Sequence, residues 1–240
     1  MRDDNGEWVL LGAEKDDPSR IVSPEAAIDY VNKVGFLPLF RGSVPGLSLE
    51  EHSTAEDWWT GDERRDPWEW RRVLAASGKV AYGKLFDNKA GFVSLEWLPA
   101  LVNARRDGYD FDTRVEDGKA NSRSRRLMSL FANGGEYLSN EVKTLTGFGK
   151  NGEKNFDGTL TELQMQTYLV VRDFRQRRNR LGEPYGWAIA VYTTPESIWG
   201  YERVTSAYSE PPELSRQRIT EHLRALCPHA SEKDIRKLIK

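Results

Sequence analysis

Residues 170–193, VVRDFRQRRNRLGEPYGWAIAVYT, restrict the fold more than any other stretch of this chain. Two apolar runs flank a polar tip containing Gly182-Glu183-Pro184, the pattern of a β-hairpin. Arg172, Arg175, Arg177, Arg178 and Arg180 crowd its first half, opposed only by Asp173. Exposed arginines keep a protruding edge soluble. At this density they also suit phosphate contact. Tyr185 and Trp187, just past the tip, either stack on a ligand or anchor the hairpin to the core.

What precedes the hairpin gives it a setting. RSRRLMSLFAN (123–133), SNEVKTLTGF (139–148) and LTELQMQTYL (160–169) each carry helical apolar spacing, with Ser139 and Asp157-Gly158-Thr159 at the starts of the second and third. Three helices and then a hairpin is the element order of a winged helix: the last two helices form a helix-turn-helix and the basic hairpin forms the wing. The predicted class is α+β.

Upstream, Ser23-Pro24-Glu25 and Asp66-Pro67-Trp68 open two further helices, the first stopping at Gly35. WVLLG near the start, FLPLF (36–40) and KVAYGKLFD (79–87) read as extended. Ser94 is expected to cap LEWLPALVNARR, with Pro99 bending that helix or delaying its start. A faint repeat sets Tyr82-Gly83-Lys84 against Phe148-Gly149-Lys150, each followed by a capped helix that runs on into arginines. It suggests two tandem units, the first degenerate and without an evident wing. The predicted divisions are a strand-helix segment (1–56), the degenerate unit (57–112), a linker at 108–122, the full unit (123–208) and C-terminal helices (209–240), the last capped by Ser231.

Composition narrows the chemistry. The formal charge of −2 argues against a uniformly basic nucleic-acid binder, so local clusters matter more than the sum. A second such cluster holds Arg114, Lys119, Arg123, Arg125 and Arg126. One cysteine, Cys227, excludes an intrachain disulfide, and the scattered His52, His222 and His229 give no metal motif. No apolar run approaches the roughly 20 residues of a membrane span. The acidic N-terminus lacks the features of a signal peptide, so a cytoplasmic location is expected. No cofactor motif, phosphate loop or nucleophile elbow is present. The eight tryptophans read first as aromatic core and second as a stacking surface.

Gln164-Met165-Gln166 is the one stretch that suggests reaction chemistry. An amide can hold a water or bond a base edge without titrating. Thr161-Glu162-Leu163-Gln164 also fits a capping box, which would make Gln164 structural. On a helix, residues two apart diverge by about 200°, so the two glutamines converge only if the chain is irregular there.

FDGTLTELQMQTYLVVRDF with YGWAIAVYTTPE, and WEWRR…VAYGKLF upstream, resembles small bacterial relatives of the AlkZ/YcaQ winged-helix DNA glycosylases, over most of residues 23–208. The resemblance implies tandem winged-helix units and double-stranded DNA as partner. It implies excision of alkylated or cross-linked purines, with Gln164 and Gln166 positioning the water that attacks the sugar carbon. The alternative is a winged-helix regulator or interaction module without catalysis.

Overall fold

The computed structural model describes residues 9–240, except that the side chain of Arg178 lies outside what is described. Helix α1 (Pro24–Val34) starts where Ser23 Oγ accepts the Ala26 amide, with proline in the first turn. Strand β1 (Phe36–Pro38) follows at once, then a polar connection with two 3-10 turns. The carboxylate of Asp66, fully buried, starts α2 (Pro67–Ser77). It accepts the amides of Trp68, Trp59 and Gly61, so one residue both caps the helix and folds the preceding loop back onto it.

β2 (Val80–Phe86) and β3 (Lys89–Ser94) then form a hairpin that the sequence did not predict. Phe86 pairs with Lys89 across a two-residue turn. Asp87 and Asn88 there both have positive φ, 49° and 63°, as the right-handed twist of a tight hairpin requires. β1 pairs with β3, giving the sheet order β1-β3-β2.

α3 (Leu98–Arg106) begins four residues after Ser94, with Pro99 in its first turn, so proline delays the helix and does not bend it. The expected linker holds a short helix, α4 (Phe111–Glu116). α5 (Ser122–Met128), a 3-10 turn, β4 (Tyr137–Leu138), α6 (Ser139–Leu145) and α7 (Phe156–Met165) lead into the hairpin of β5 (Val170–Arg178) and β6 (Pro184–Thr193). The second sheet has the order β4-β6-β5, so the first, third and second strands are neighbours in both sheets. Helices α8 (Pro195–Trp199), α9 (Tyr201–Val204), α10 (Pro212–Leu226) and α11 (Glu232–Ile239) close the chain. Ser231 Oγ accepts the Asp234 amide and caps α11, as expected.

Residues 24–94 run helix, strand, helix and hairpin, and residues 122–193 run helix, strand, two helices and hairpin. Tyr82-Gly83-Lys84 lies in β2, whereas Phe148-Gly149-Lys150 lies in the turn between α6 and α7. Residues 56 and 57, where a boundary was expected, sit in a 3-10 turn between β1 and α2. Residues 9–12 of WVLLG form no strand, and Trp8 lies outside the described residues.

Two apolar clusters hold the fold. The larger joins α1, α2 and one face of the first sheet to α5, α7 and the base of the second hairpin, with Trp70, Leu74, Phe92, Leu163 and Tyr168 buried at its centre. The smaller covers the other face of the first sheet: Ala81, Leu85 and Val93 pack against Leu101 of α3, Ile219 and Leu223 of α10, and Ile235 and Leu238 of α11. The first sheet is consequently buried on both faces.

Candidate nucleic-acid interface

α7 starts at Phe156, five residues before Thr161, so Thr161 is inside the helix and the expected capping box does not form. Gln164 lies in the helix's last turn and is 1 % exposed. Its Oε1 accepts the Lys84 amide of β2 at 2.9 Å, and its Nε2 donates to the Leu160 carbonyl at 3.1 Å. Gly83 is the neighbour that permits this approach, since a Cβ there would stand 3.2 Å from Oε1. Gln164 thus ties α7 to the first hairpin with both ends of its amide engaged.

Gln166 caps the C-terminus of α7 and is half-exposed. Its Nε2 donates to Glu162 Oε1 at 3.2 Å. Gln166, Met165 and Glu162 line a cleft of about 880 Å³ bounded by the β2–β3 turn, the end of α3, α10 and α11. Gln164 does not line it. The two amides therefore serve different surroundings, as helical geometry requires of positions two apart.

The outward face of α7 is occupied as well. Lys84 Nζ donates to Thr161 Oγ1 at 3.1 Å, and the Asn88 amide points at the Met165 sulfur at 3.3 Å. The tip of the first hairpin therefore rests along α7, whose charged side chains are the acids Asp157 and Glu162.

Of the five hairpin arginines, the side chain of Arg178 lies outside what is described, and the other four separate into two groups. Arg172 donates to the Ala75 and Ala76 carbonyls at 3.1 and 2.5 Å, at the negative end of α2, and lies 3.6 Å from Glu136. Arg175 pairs with Glu136 at 2.8 Å and with Asp173 at 3.2 Å, and these carboxylates raise its pKa against the effect of burial. Both are spent on internal contacts. Arg177 and Arg180 are exposed, and neither has a carboxylate within ion-pair distance among the described residues.

The tip itself is organised by Asn179. Its Oδ1 accepts the amides of Leu181 and Glu183 at 2.9 and 3.0 Å, and its Nδ2 donates to Glu183 at 2.9 Å. Gly182, with φ of 81°, completes the turn. The apolar side chains there face solvent: Leu181 is 84 % exposed, Trp187 83 % and Tyr185 48 %. Trp187 does not anchor the hairpin to the core. The ladder shifts register between Arg175 and Arg177, and Gly186 opposite has φ of 68°, which turns this stretch outward.

Three lysines gather around α6 and α7 without a sequence motif to announce them. Lys143 of α6, with Lys150 and Lys154 of the turn before α7, lines one shallow depression. None of them makes an ion pair among the described residues, whereas Glu153 beside them is held by Arg123 at 2.8 Å. In the sequence they are dispersed among Gly, Asn and Thr, so only the fold gathers them.

Elsewhere, Arg106 of α3 is 1 % exposed and bonds two other segments: Glu196 of α8 at 2.5 Å, and Thr167-Tyr168 after α7 through the Thr167 carbonyl at 2.7 Å and the Tyr168 ring at 4.5 Å. Among the described tryptophans Trp58 and Trp70 are buried, Trp68, Trp97 and Trp199 are partly buried against the core, and Trp59, like Trp187, is exposed. No group of His, Cys, Asp and Glu among the described residues could hold a metal ion. No helix among them is long and apolar enough to cross a membrane.

Comparison with curated proteins and with solved structures found no match. A family model described as AlkZ related matches residues 21–240, taking in both hairpins, the glutamine tripeptide and the C-terminal helices. The chain belongs to the AlkZ-related family.

Proposed function

We propose that this protein is a winged-helix DNA-binding relative of the DNA-repair glycosylases, built from two tandem units. Family membership and the shared strand order of the two sheets support the architecture. The observation that carries DNA binding is the pairing of unspent cations with a projecting hairpin. Arg177 and Arg180 flank an exposed Leu181 and Trp187, and Lys143, Lys150 and Lys154 stand at the turn between α6 and α7. In a winged helix these are the wing and the helix-turn-helix, the two parts that meet duplex phosphates.

Catalysis in this reading is hydrolysis of an N-glycosidic bond in an alkylated or cross-linked purine nucleotide. Gln166, half-exposed in the cleft beside Glu162, orients the attacking water, and Gln164 fixes the wall behind it. A second reading, DNA binding without catalysis, is favoured by one observation: both ends of the Gln164 amide are already bonded inside the protein.

Released base from duplex DNA carrying 7-methylguanine separates the two. Release by the native chain that a Gln166→Ala variant loses supports the enzyme. Duplex binding with no release above the level of a Gln164→Ala, Gln166→Ala double variant supports the binding module. Absence of duplex affinity at low salt overturns both.

A further inference from the structure

α7 holds the place of a recognition helix, the one that enters the major groove in a winged helix. Its surroundings forbid that entry. A helix with its side chains is about 10–12 Å across and the groove about 12 Å wide, so the helix must come with bare flanks. On one flank α7 carries the first hairpin, where Lys84 Nζ meets Thr161 Oγ1 at 3.1 Å and the Asn88 amide meets the Met165 sulfur at 3.3 Å. On another, Gly158, Glu162 and Gln166 line a cleft that is also lined by Thr220 of α10 and Lys237 of α11. The charged side chains of α7, Asp157 and Glu162, are both exposed acids, which phosphate repels.

α5 presents the opposite charge. Arg123 and Arg126, three positions apart, share a face of it, and both reach the turn between α6 and α7. Arg123 donates to Glu153 at 2.8 Å, and a Cβ on Gly147 would stand 3.2 Å from Arg126 Nη1. The Arg123 hydrogen bond, with the Lys154 amide and the Arg123 and Arg126 charges behind it, holds the Glu153 carboxyl below its ordinary value. Arg126 itself is exposed and has no carboxylate within ion-pair distance among the described residues. The turn is closed by the Glu153 amide on the Gly147 carbonyl at 2.9 Å and the Gly149 amide on the Glu153 carbonyl at 3.0 Å. Lys150 and Lys154 therefore stand on a fixed base beside Arg126. Arg125, turned about 100° away on α5, lines a different hollow with Asp110, Asp112 and Glu196.

We infer that the second unit meets duplex DNA through α5 and the α6–α7 turn in place of α7: Arg126 contacts a backbone phosphate beside those of Lys150 and Lys154, and α7 stays out of the major groove. This contact rests on the duplex binding proposed above, and it names phosphates, not base edges, as what the unit reads.

Fluorescence anisotropy of a labelled, undamaged duplex titrated with the full chain at several salt concentrations tests it. Arg126→Ala lowers the slope of log affinity against log salt by about 0.9, Arg126→Lys keeps the native slope, and Arg125→Ala leaves it as it was. A duplex whose purines are all 7-deaza forms lacks the N7 acceptors of the major groove but keeps its phosphates, and its affinity changes by less than about threefold. Three results overturn the inference: a native slope for Arg126→Ala, equal falls for Arg125→Ala and Arg126→Ala, which report bulk charge alone, or a loss of about tenfold or more on the 7-deaza duplex. If the Arg177→Ala, Arg180→Ala variant is still weakened in those cases, duplex binding stands without this contact. No binding by the native chain at low salt removes both.

Discussion

The β2–β3 and β5–β6 hairpins occupy the same place in two sheets of the same order, yet they meet opposite surroundings. The first is short and turns on two residues, and it is covered on both faces, by α2 and α7 on one side and α3, α10 and α11 on the other. The second is longer, carries Arg177 and Arg180 outward and leaves its distal half in solvent. A topology assigns a hairpin no task; what packs against it does. In the first the strands serve as core, and in the second the base serves as core while the tip is free to meet a partner.

The comparison breaks most directly through stability. Phe92→Ala in the first hairpin should cost about 3–5 kcal/mol in urea unfolding. Trp187→Ala in the second should stay within about 0.5 kcal/mol, being surface truncation. Similar costs for the two would end the distinction.

Next in size is the Arg106 junction. Arg106→Leu leaves the Glu196 carboxylate and the Thr167 carbonyl without their partner and should cost about 3 kcal/mol, read from the same unfolding curves. Arg172→Ala, at the partly exposed foot of the second hairpin, should cost only about 1 kcal/mol and leave duplex affinity largely intact.

The tyrosines of the shared core give a pH signature. Burial raises Tyr82 to about 12, and it raises Tyr192 as well. The folded state thus keeps protons that the unfolded chain releases near its ordinary value of 10.0. Their contribution is complete below that pH and is lost as pH rises towards the folded values, so unfolding in alkali should set in above about pH 10. Tyr82→Phe should flatten that decline; an unchanged profile would show that Tyr82 is not the group responsible.

The smallest effect in free energy is the most specific. Arg177→Ala with Arg180→Ala should reduce the slope of log affinity against log salt by about 1.8 if each meets one phosphate of a duplex. Arg175→Ala should change it little, because Glu136 and Asp173 already hold that side chain.

These differences explain what the sequence disclosed. The second hairpin was legible because its strands are long and its turn holds Gly and Pro. The first escaped notice because Asp87-Asn88 is a weak turn signal and its double burial removes the usual alternation. The helix starts at Pro24 and Pro67 were legible from local capping chemistry. Thr161 misled for a matching reason: a capping pattern has no meaning once the helix has begun upstream at Phe156. At the site, periodicity separated Gln164 from Gln166, but it gave no sign that Lys84 would claim one of them from 80 residues away. Nor could a list of arginines tell spent from unspent charge, which depends on Glu136 and the end of α2.

The double burial of the first sheet also sets an order of events during synthesis. Ala81, Leu85 and Val93 emerge from the ribosome soon before Leu101 of α3 but long before Ile219, Leu223, Ile235 and Leu238, which complete their cover. At a typical elongation rate of about 5–20 residues per second, that face stays partly bare for roughly 6–30 seconds. The N-terminal sheet, first to be made, is therefore among the last parts to be finished, and its nascent form is where a chaperone has an apolar surface to hold.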